Sequence, residues 1–320
     1  MPVHDSPLPP GRHALALHGG AGTIARSSAE AEAPYHAALR AALAAGDAVL
    51  SSGGTALQAV VAAVVALEDC PLFNAGHGAV FTADETHELD AGVMDGRTLA
   101  AGALAGLTTL RNPILGALEV LRDGHCVLMG GAAAERWCAA RGVASVEPGY
   151  FSTAQRRAQL HAARARDRDR AVLDHTGAST KMGTVGAVAL DRHGHIAAAT
   201  STGGLTNKRP GRIGDTPLVG AGVYAHDAGC AVSTTGTGEH FIRGCVAHDV
   251  HARMVYAGLP LADAAHRAIT ESLAPLGGSG GLVAIDRQGR IAMPYNSDGM
   301  YRAWLREGES ARSAVFDDAI

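Results

Sequence analysis

Residues 183–215 read GTVGAVALDRHGHIAAATSTGGLTNKRPGRIGD, and this stretch decides the fold. A Gly-Thr step opens onto an apolar strand, Asp191 to Gly194 turns the chain, and a second strand returns as HIAAAT. Two strands joined by so short a turn pair antiparallel, because parallel pairing needs a long crossover. The pattern recurs at 281–294, where GLVAIDRQGRIAMP again reads strand, D-R-x-G turn, strand. This is a local echo between two hairpins and not a repeat architecture. HELDAGVMDGRTLAAGALAG (87–106) is a third hairpin, with Asp95-Gly96 as its turn signal.

Helical stretches are expected at 30–48, 55–68, 113–122, 132–141, 239–257 and 260–273. In the second, Ala56, Val60, Ala63, Val64 and Leu67 share one face at helical spacing. HALALHGGAG (13–22) reads as a strand running into a glycine loop, and CVLM (126–129) as a short strand. Residues 217–238 add two more strands, ending at Thr235-Gly236-Thr237-Gly238. Paired helices and consecutive hairpins predict an α+β fold of mostly antiparallel sheets with helices layered outside, not a doubly wound α/β fold.

The chain has 320 residues, 47% hydrophobic and 18% charged, enough for a sizeable core. Aromatic residues are only 4%, while Ala and Gly are abundant, so the core is built from small side chains at close backbone approach. A net charge of −4 argues against a nucleic-acid footprint. Five scattered cysteines with no CxxC support neither a zinc site nor a disulfide framework. The prolines near the N-terminus interrupt any leader-like apolar run, and no stretch is long enough to span a membrane; a cytoplasmic protein is expected. Residues 152–183 carry RARDRDR and few large apolar side chains, and read as a helix fraying into a flexible linker.

Several motif matches fail on context. GGSGG (277–281) fits G-x-S-x-G, but a helix precedes it, a strand follows it, and no His lies downstream. GTGEHF has Phe241 where a dinucleotide fingerprint needs its third glycine. His193 and His195 fall in a turn, and His248 and His251 on a helix face, so all four are expected to be exposed. His18 with Gly19 and Gly20 is open to two readings, an anion-binding nest or a tight turn. LEDCPLFNAGHGAVFT (67–82) is an irregular loop, broken by Pro71, Gly76 and Gly78, with Asn74 inside it.

What remains is centred on Thr184. As an N-terminal residue it would carry its own general base, an α-amine of reference pKa about 7.7–8.0. That requires cleavage after Gly183, where glycine tolerates the backbone an N→O acyl shift needs. Thr202 and Thr235 offer hydroxyls, and Gly236 offers an approachable N–H. Arg212 offers a fork for a carboxylate and Asp215 a counter-charge for an ammonium, unless the two simply pair with each other.

At these residues the sequence resembles the plant-type L-asparaginases, or isoaspartyl peptidases, of the N-terminal nucleophile hydrolase superfamily. The matching stretches are LHGGAGT, LEDCPLFNAGHGAVFT, HELDAGVMDG, GTVGAVALD, ATSTGGLTNKRPGRIGD, STTGTGE, GGSGGLVAID and MYRAW, which span nearly the whole chain. The resemblance implies an αββα four-layer sandwich in one domain, autocleaved at Gly183–Thr184 into subunits 1–183 and 184–320. It implies Thr184 as nucleophile, Thr202 orienting it, and Thr235 with Gly236 as oxyanion hole. Asn74 would support the site. Arg212, Ile213, Gly214, Asp215 and Thr235 to Gly238 (Thr237 included) would line the substrate pocket. No cofactor is needed for the chemistry, but the resemblance implies a structural sodium held by the carbonyls of Leu67, Glu68, Cys70, Phe73, Ala75 and His77. It further implies asparagine and isoaspartyl dipeptides as substrates and a dimer of αβ units. A glycosylasparaginase, or a non-catalytic binding module, are the rival readings.

Overall fold

The hairpin at the heart of the sequence lies at the middle of a large sheet in the computed structural model, which describes residues 3–22, 28–170 and 183–316. The chain begins with β1 (Val3–His4), β2 (Ala14–Gly22), α1 (Ala29–Ser51) and α2 (Ala56–Glu68). The hairpin β3 (Leu89–Asp95) and β4 (Ala101–Leu107) follows, then α3 (Pro113–Asp123), β5 (Leu128–Gly130), α4 (Gly131–Ala139) and α5 (Ala154–Arg170). The central hairpin is β6 (Val185–Leu190) and β7 (Ile196–Thr202). After it come β8 (Val223–Ala225), β9 (Cys230–Gly236), α6 (Gly238–Gly244), α7 (Val246–Ala257) and α8 (Leu261–Arg267). The chain closes with β10 (Gly280–Asp286), β11 (Ile291–Ala292), β12 (Gly299–Arg306) and β13 (Arg312–Ala314).

Among the described residues the strands form an eight-stranded sheet, β13-β12-β2-β6-β7-β3-β4-β5, and a five-stranded sheet, β1-β11-β10-β9-β8. Neighbours run antiparallel except β4 and β5, which a helical crossover makes parallel. The strands are apolar on both faces because both faces are covered. In β6, Val185, Ala187 and Ala189 pack under α2, in one core with residues of α1 and α3. Val188 and Leu190 point the other way, onto Val223, Ala231, Val283 and Ile285 of the smaller sheet. The far side of the smaller sheet, Val232, Leu282 and Ala284, is covered by α6, α7 and α8. Small residues allow the close approach that sparse aromatics require. A Cβ on Gly102 of β4 would lie 2.1 Å from the Ala117 carbonyl, so α3 rests directly on the strand.

The helix ends follow local chemistry. Thr55 and Gln58 form a capping box on α2, Ser28 caps α1, and α3 begins at Pro113 and ends at Gly124 in the left-handed region. The expected single helix 239–257 is two, because Cys245 at φ 45° breaks the backbone between α6 and α7. The expected helix 260–273 is α8 followed by a π-helical turn, Ala268–Leu273.

Of the segment 152–183, read as a helix fraying into a flexible linker, 154–170 is helix throughout, and 171–182, where the linker would fall, lie outside the described residues. The arginines of this segment anchor it. Arg156 is buried and donates to the carbonyl oxygens of Gly78, at 2.5 Å, and Leu72, at 3.2 Å. Arg164 holds the Ala83 carbonyl and the Glu85 carboxylate. The histidines also differ from expectation. His193 is exposed, but His195 is half-buried on Asp227 at 2.7 Å, and His251 is buried among the rings of Tyr224, His226 and His248. Among the described residues no helix is long and apolar enough to cross a membrane.

Candidate active site

The β6–β7 register pairs Val185 with Ser201, which brings Thr184 and Thr202 together just past the last rung of the ladder. The Thr184 hydroxyl donates to Thr202 Oγ1 at 3.1 Å. Thr202 Oγ1 also accepts the Gly204 N–H at 2.9 Å and donates to the Gly183 carbonyl at 3.4 Å. From the facing sheet, Thr235 Oγ1 accepts the amide N–H of Thr184 at 3.4 Å and that of Ala21 at 3.1 Å. Thr184 is 7% exposed. Gly236 follows Thr235 at φ 150°, pressed against β10 so closely that a Cβ would lie 2.3 Å from the Ser279 carbonyl. The hydroxyl and amide of Thr184 thus lie within hydrogen-bonding reach of the Thr202 and Thr235 hydroxyls.

Arg212 and Asp215 do not pair with each other. The Arg212 fork grips Glu239 through Nε and Nη2 at 2.8 and 3.0 Å, which holds the Glu239 carboxyl below its usual range. Asp215 is buried and accepts from Thr234 Oγ1 at 2.7 Å. Burial pushes its pKa up to about 6, against the downward pull of that hydroxyl and of Arg212. Both charges nevertheless converge at Gly238. A Cβ there would lie 2.7 Å from Asp215 Oδ1 and 2.9 Å from Arg212 Nη2. Gly214 lies against Arg212 Nη1, Ile213 is 46% exposed, and Thr237 donates its N–H to the Ser279 carbonyl at 2.9 Å. Lys208 is buried beside them; burial lowers its pKa, Asp90 and Glu88 oppose this, and its ammonium donates to the Glu88 carbonyl at 2.8 Å.

Asn74 ties the 67–78 loop to the end of the β6–β7 hairpin. Its amide donates to the Gly204 carbonyl at 2.6 Å and accepts the Val80 N–H at 2.9 Å, while its own carbonyl takes the Gly203 N–H at 3.1 Å. Gly76 and Gly78, at φ 48° and 122°, curl this loop back on itself, so that a Cβ on Gly76 would touch the Glu68 carbonyl at 2.5 Å. The carbonyls of Leu67, Glu68 and Cys70 each accept a backbone N–H, from Cys70, His77 and Phe73. The Leu67 carbonyl also accepts the Asp69 N–H, while those of Glu68 and Cys70 have a second lone pair. Among the described residues no cluster of His, Cys, Asp or Glu side chains could hold a metal.

Four features escaped the sequence. His18 is neither nest nor turn; it lies within β2, fully buried, and donates Nδ1–H to the Thr184 carbonyl at 2.9 Å. Its Nε2 meets Ser233 Oγ at 2.8 Å, and Ser233 Oγ meets Thr200 Oγ1 at 2.7 Å. Glu239 was visible only as the end of STTGTGE. The Glu68 side chain, named above for its carbonyl alone, is buried on Ser201 Oγ at 2.6 Å and the Ile114 N–H at 3.0 Å. Burial lifts its carboxyl to about 8.

A family profile described as asparaginase matches residues 11–315. An isoaspartyl peptidase of Escherichia coli K12 is 54% identical over 312 residues, covering 96% of this chain and 97% of the relative. One of Salmonella typhimurium is 54% identical over 308 residues, covering 94% and 98%. An isoaspartyl peptidase/L-asparaginase of Xenopus laevis is 36% identical over 306 residues, covering 96% and 93%. Similarity of this depth along almost the full length, on top of a Thr-centred site, means that the chain belongs to the asparaginase family.

Proposed function

We propose that this chain hydrolyses L-asparagine and β-aspartyl (isoaspartyl) dipeptides with Thr184 as nucleophile, after cutting itself at Gly183–Thr184. The observation that carries the reading is the Thr184 hydroxyl on Thr202, with its own amide on Thr235. In maturation, Thr184 Oγ attacks the Gly183 carbonyl and the amide C–N bond breaks. The hydroxyl proton passes to the departing nitrogen, which frees the Thr184 α-amine; water then cleaves the ester so formed, leaving a carboxylate on Gly183 and restoring the Thr184 hydroxyl. That amine has a reference pKa of about 7.7–8.0, so near neutrality it takes the hydroxyl proton in the second reaction. Thr184 Oγ then attacks the substrate's side-chain carbonyl, the leaving amine departs with a proton, and water resolves the β-aspartyl ester. The Thr235 hydroxyl and Gly236 N–H stabilise the oxyanion at each addition.

Arg212 takes the substrate α-carboxylate on the fork that Glu239 orients, and Asp215 takes the α-ammonium; the two meet at Gly238, beside Thr235 and Gly236. Asn74 holds the hairpin end on which Thr202 sits. The wider reading comprises subunits 1–183 and 184–320, the helix and sheet layers stacked as an αββα sandwich, and a dimer of αβ units in the cytoplasm. It also places a structural sodium among the carbonyls of residues 67–77; the chemistry itself needs no cofactor.

Mass spectrometry of the purified protein tests the core of this. Two fragments should together exceed the precursor mass by one water, and Thr184→Ala should stay whole and inactive. A cleaved Thr184→Ala protein would show that an outside protease makes the cut.

A further inference from the structure

We infer that His18 is a positioning residue: its buried imidazole clamps the main-chain carbonyl of Thr184 and so sets where the nucleophile stands. The inference rests on the proposed role of Thr184 as a nucleophile freed by cleavage.

The local geometry gives His18 this task. The β2–β6 ladder ends with His18 opposite Gly186, so Thr184 lies beyond its last rung. Its carbonyl takes instead the Nδ1–H of His18, at 2.9 Å. A carbonyl accepts only, so Nδ1 carries the proton and Nε2 is the bare nitrogen. Ser233 Oγ therefore donates to Nε2 at 2.8 Å, and Thr200 Oγ1 lies 2.7 Å beyond it. With Ser233 donating to Nε2, the proton between Ser233 and Thr200 is Thr200's, whose hydroxyl also lies 3.2 Å from the Gly222 carbonyl; the Thr184 carbonyl sets the tautomer. Burial supports the same state, drawing the His18 pKa down to about 3, so the ring stays neutral across the working range.

Gly186 is the space in which this is built. A Cβ there would fall 1.9 Å from Ser233 Oγ and 2.7 Å from His18 Nε2. The chain also crosses between sheets, since His18 and Thr200 belong to the larger and Ser233 to the smaller. The oxyanion residues Thr235 and Gly236 sit on the strand of Ser233. One hydrogen-bonded chain therefore registers the nucleophile against its oxyanion hole.

The need for it follows from the chemistry. Before cleavage, Thr184 is held by covalent bonds on both sides. Afterwards it is a chain end, tethered only through its carbonyl side. The carbonyl clamp then restricts rotation about the last bond that orients the amine and hydroxyl. It touches neither substrate nor reacting atoms, so its loss should appear in kcat and not in substrate binding.

Two amide replacements separate the role from mere packing. His18→Asn places an N–H near the position of Nδ1 and can keep the bond to Thr184. His18→Gln extends past it toward Ser233 and loses that bond. In matured protein, His18→Gln should lower kcat by about 10²-fold, the scale of an ångström-sized misplacement, with KM for a β-aspartyl dipeptide nearly unchanged. His18→Asn should retain kcat within about tenfold, or about 1.4 kcal/mol of barrier, although both variants lower Tm. Should either variant fail to fold, Ser233→Ala removes only the donor to Nε2, and nitrogen NMR of the wild type reads the His18 tautomer directly. The expected state is Nδ1-protonated and unchanged from pH 5 to 8. Equal kcat in the Gln and Asn variants, or an Nε2-protonated ring, would overturn the positioning role while leaving the nucleophile reading intact. A wild type that neither cuts itself nor hydrolyses a β-aspartyl dipeptide would overturn the nucleophile reading and the positioning role with it.

Discussion

Protonation of Asp215 should switch off ligand binding in a pH range where an ordinary aspartate would stay charged. The carboxyl is buried, and desolvation raises its pKa from 3.8 to about 6 despite the Thr234 hydroxyl and the Arg212 charge. Only the carboxylate attracts an α-ammonium. With a pKa of about 6 the group is roughly 90% ionised at pH 7 and roughly 10% at pH 5. An unshifted carboxyl would still be above about 90% ionised at pH 5. The affinity for L-aspartate, the product that carries both α-charges, should therefore fall about tenfold between pH 7 and pH 5. The stability effect follows the same proton. The native state holds it more tightly than the unfolded chain does, so the stability it contributes is present at low pH and lost as pH rises from about 4 to about 6. Calorimetric titration of matured protein with L-aspartate reads the binding effect. Asp215→Asn should bind weakly at pH 7 and show a flattened pH profile. An affinity that is level from pH 7 to 5, or an Asp215→Asn variant with the wild-type profile, would refute the assignment of Asp215 as the ammonium partner.

The Arg212 fork should make the enzyme choose between peptide isomers: released leucine is expected from β-Asp-Leu and not from α-Asp-Leu, whose α-carboxylate is consumed in the peptide bond. Arg212→Lys should raise KM more than it lowers kcat, because an ammonium keeps the charge and loses the two parallel bonds. Comparable rates for the two isomers would remove Arg212 from substrate recognition. Exchanging sodium for a bulky organic cation at constant ionic strength should lower Tm or activity if carbonyls 67–77 cage an ion; no change in either leaves that loop without a cation role. Gly236→Ala should cost more than about 2 kcal/mol in stability, read as a lowered urea midpoint, since its Cβ would meet the Ser279 and Gly280 backbone as well as the buried Phe241 ring. A midpoint equal to wild type would show that the β9–β10 contact is looser than described.

The sequence by itself carried the local features. Hairpins at 87–106, 183–202 and 281–294 were legible because apolar runs and turn residues lie within a few positions of one another. The paired helices were legible from spacing, and the nucleophile candidate from a Gly-Thr step at the head of a strand. Breaks inside helices were less so: nothing around Cys245 announces the left-handed backbone that divides α6 from α7. The arginine-rich run at 154–170 read as solvated because its acceptors, the carbonyls of Leu72, Gly78 and Ala83, lie far away in sequence. Electrostatic pairing was also out of reach, since the sequence suggested only Asp215 as a partner for Arg212, whereas Glu239, 27 residues away at the start of α6, takes its fork. Arg212 and Asp215 were singled out as chemical types, and their convergence at Gly238 is a product of loop geometry. The bridge from Thr184 through His18 and Ser233 to Thr200 is the clearest case. Residues 18, 184, 200 and 233 meet because one sheet packs on another, and Gly186 leaves the room between them. Periodicity and turn chemistry act along the chain, whereas burial, desolvation and hydrogen bonding act across it, so the components of this site were written locally and their contacts were decided by packing.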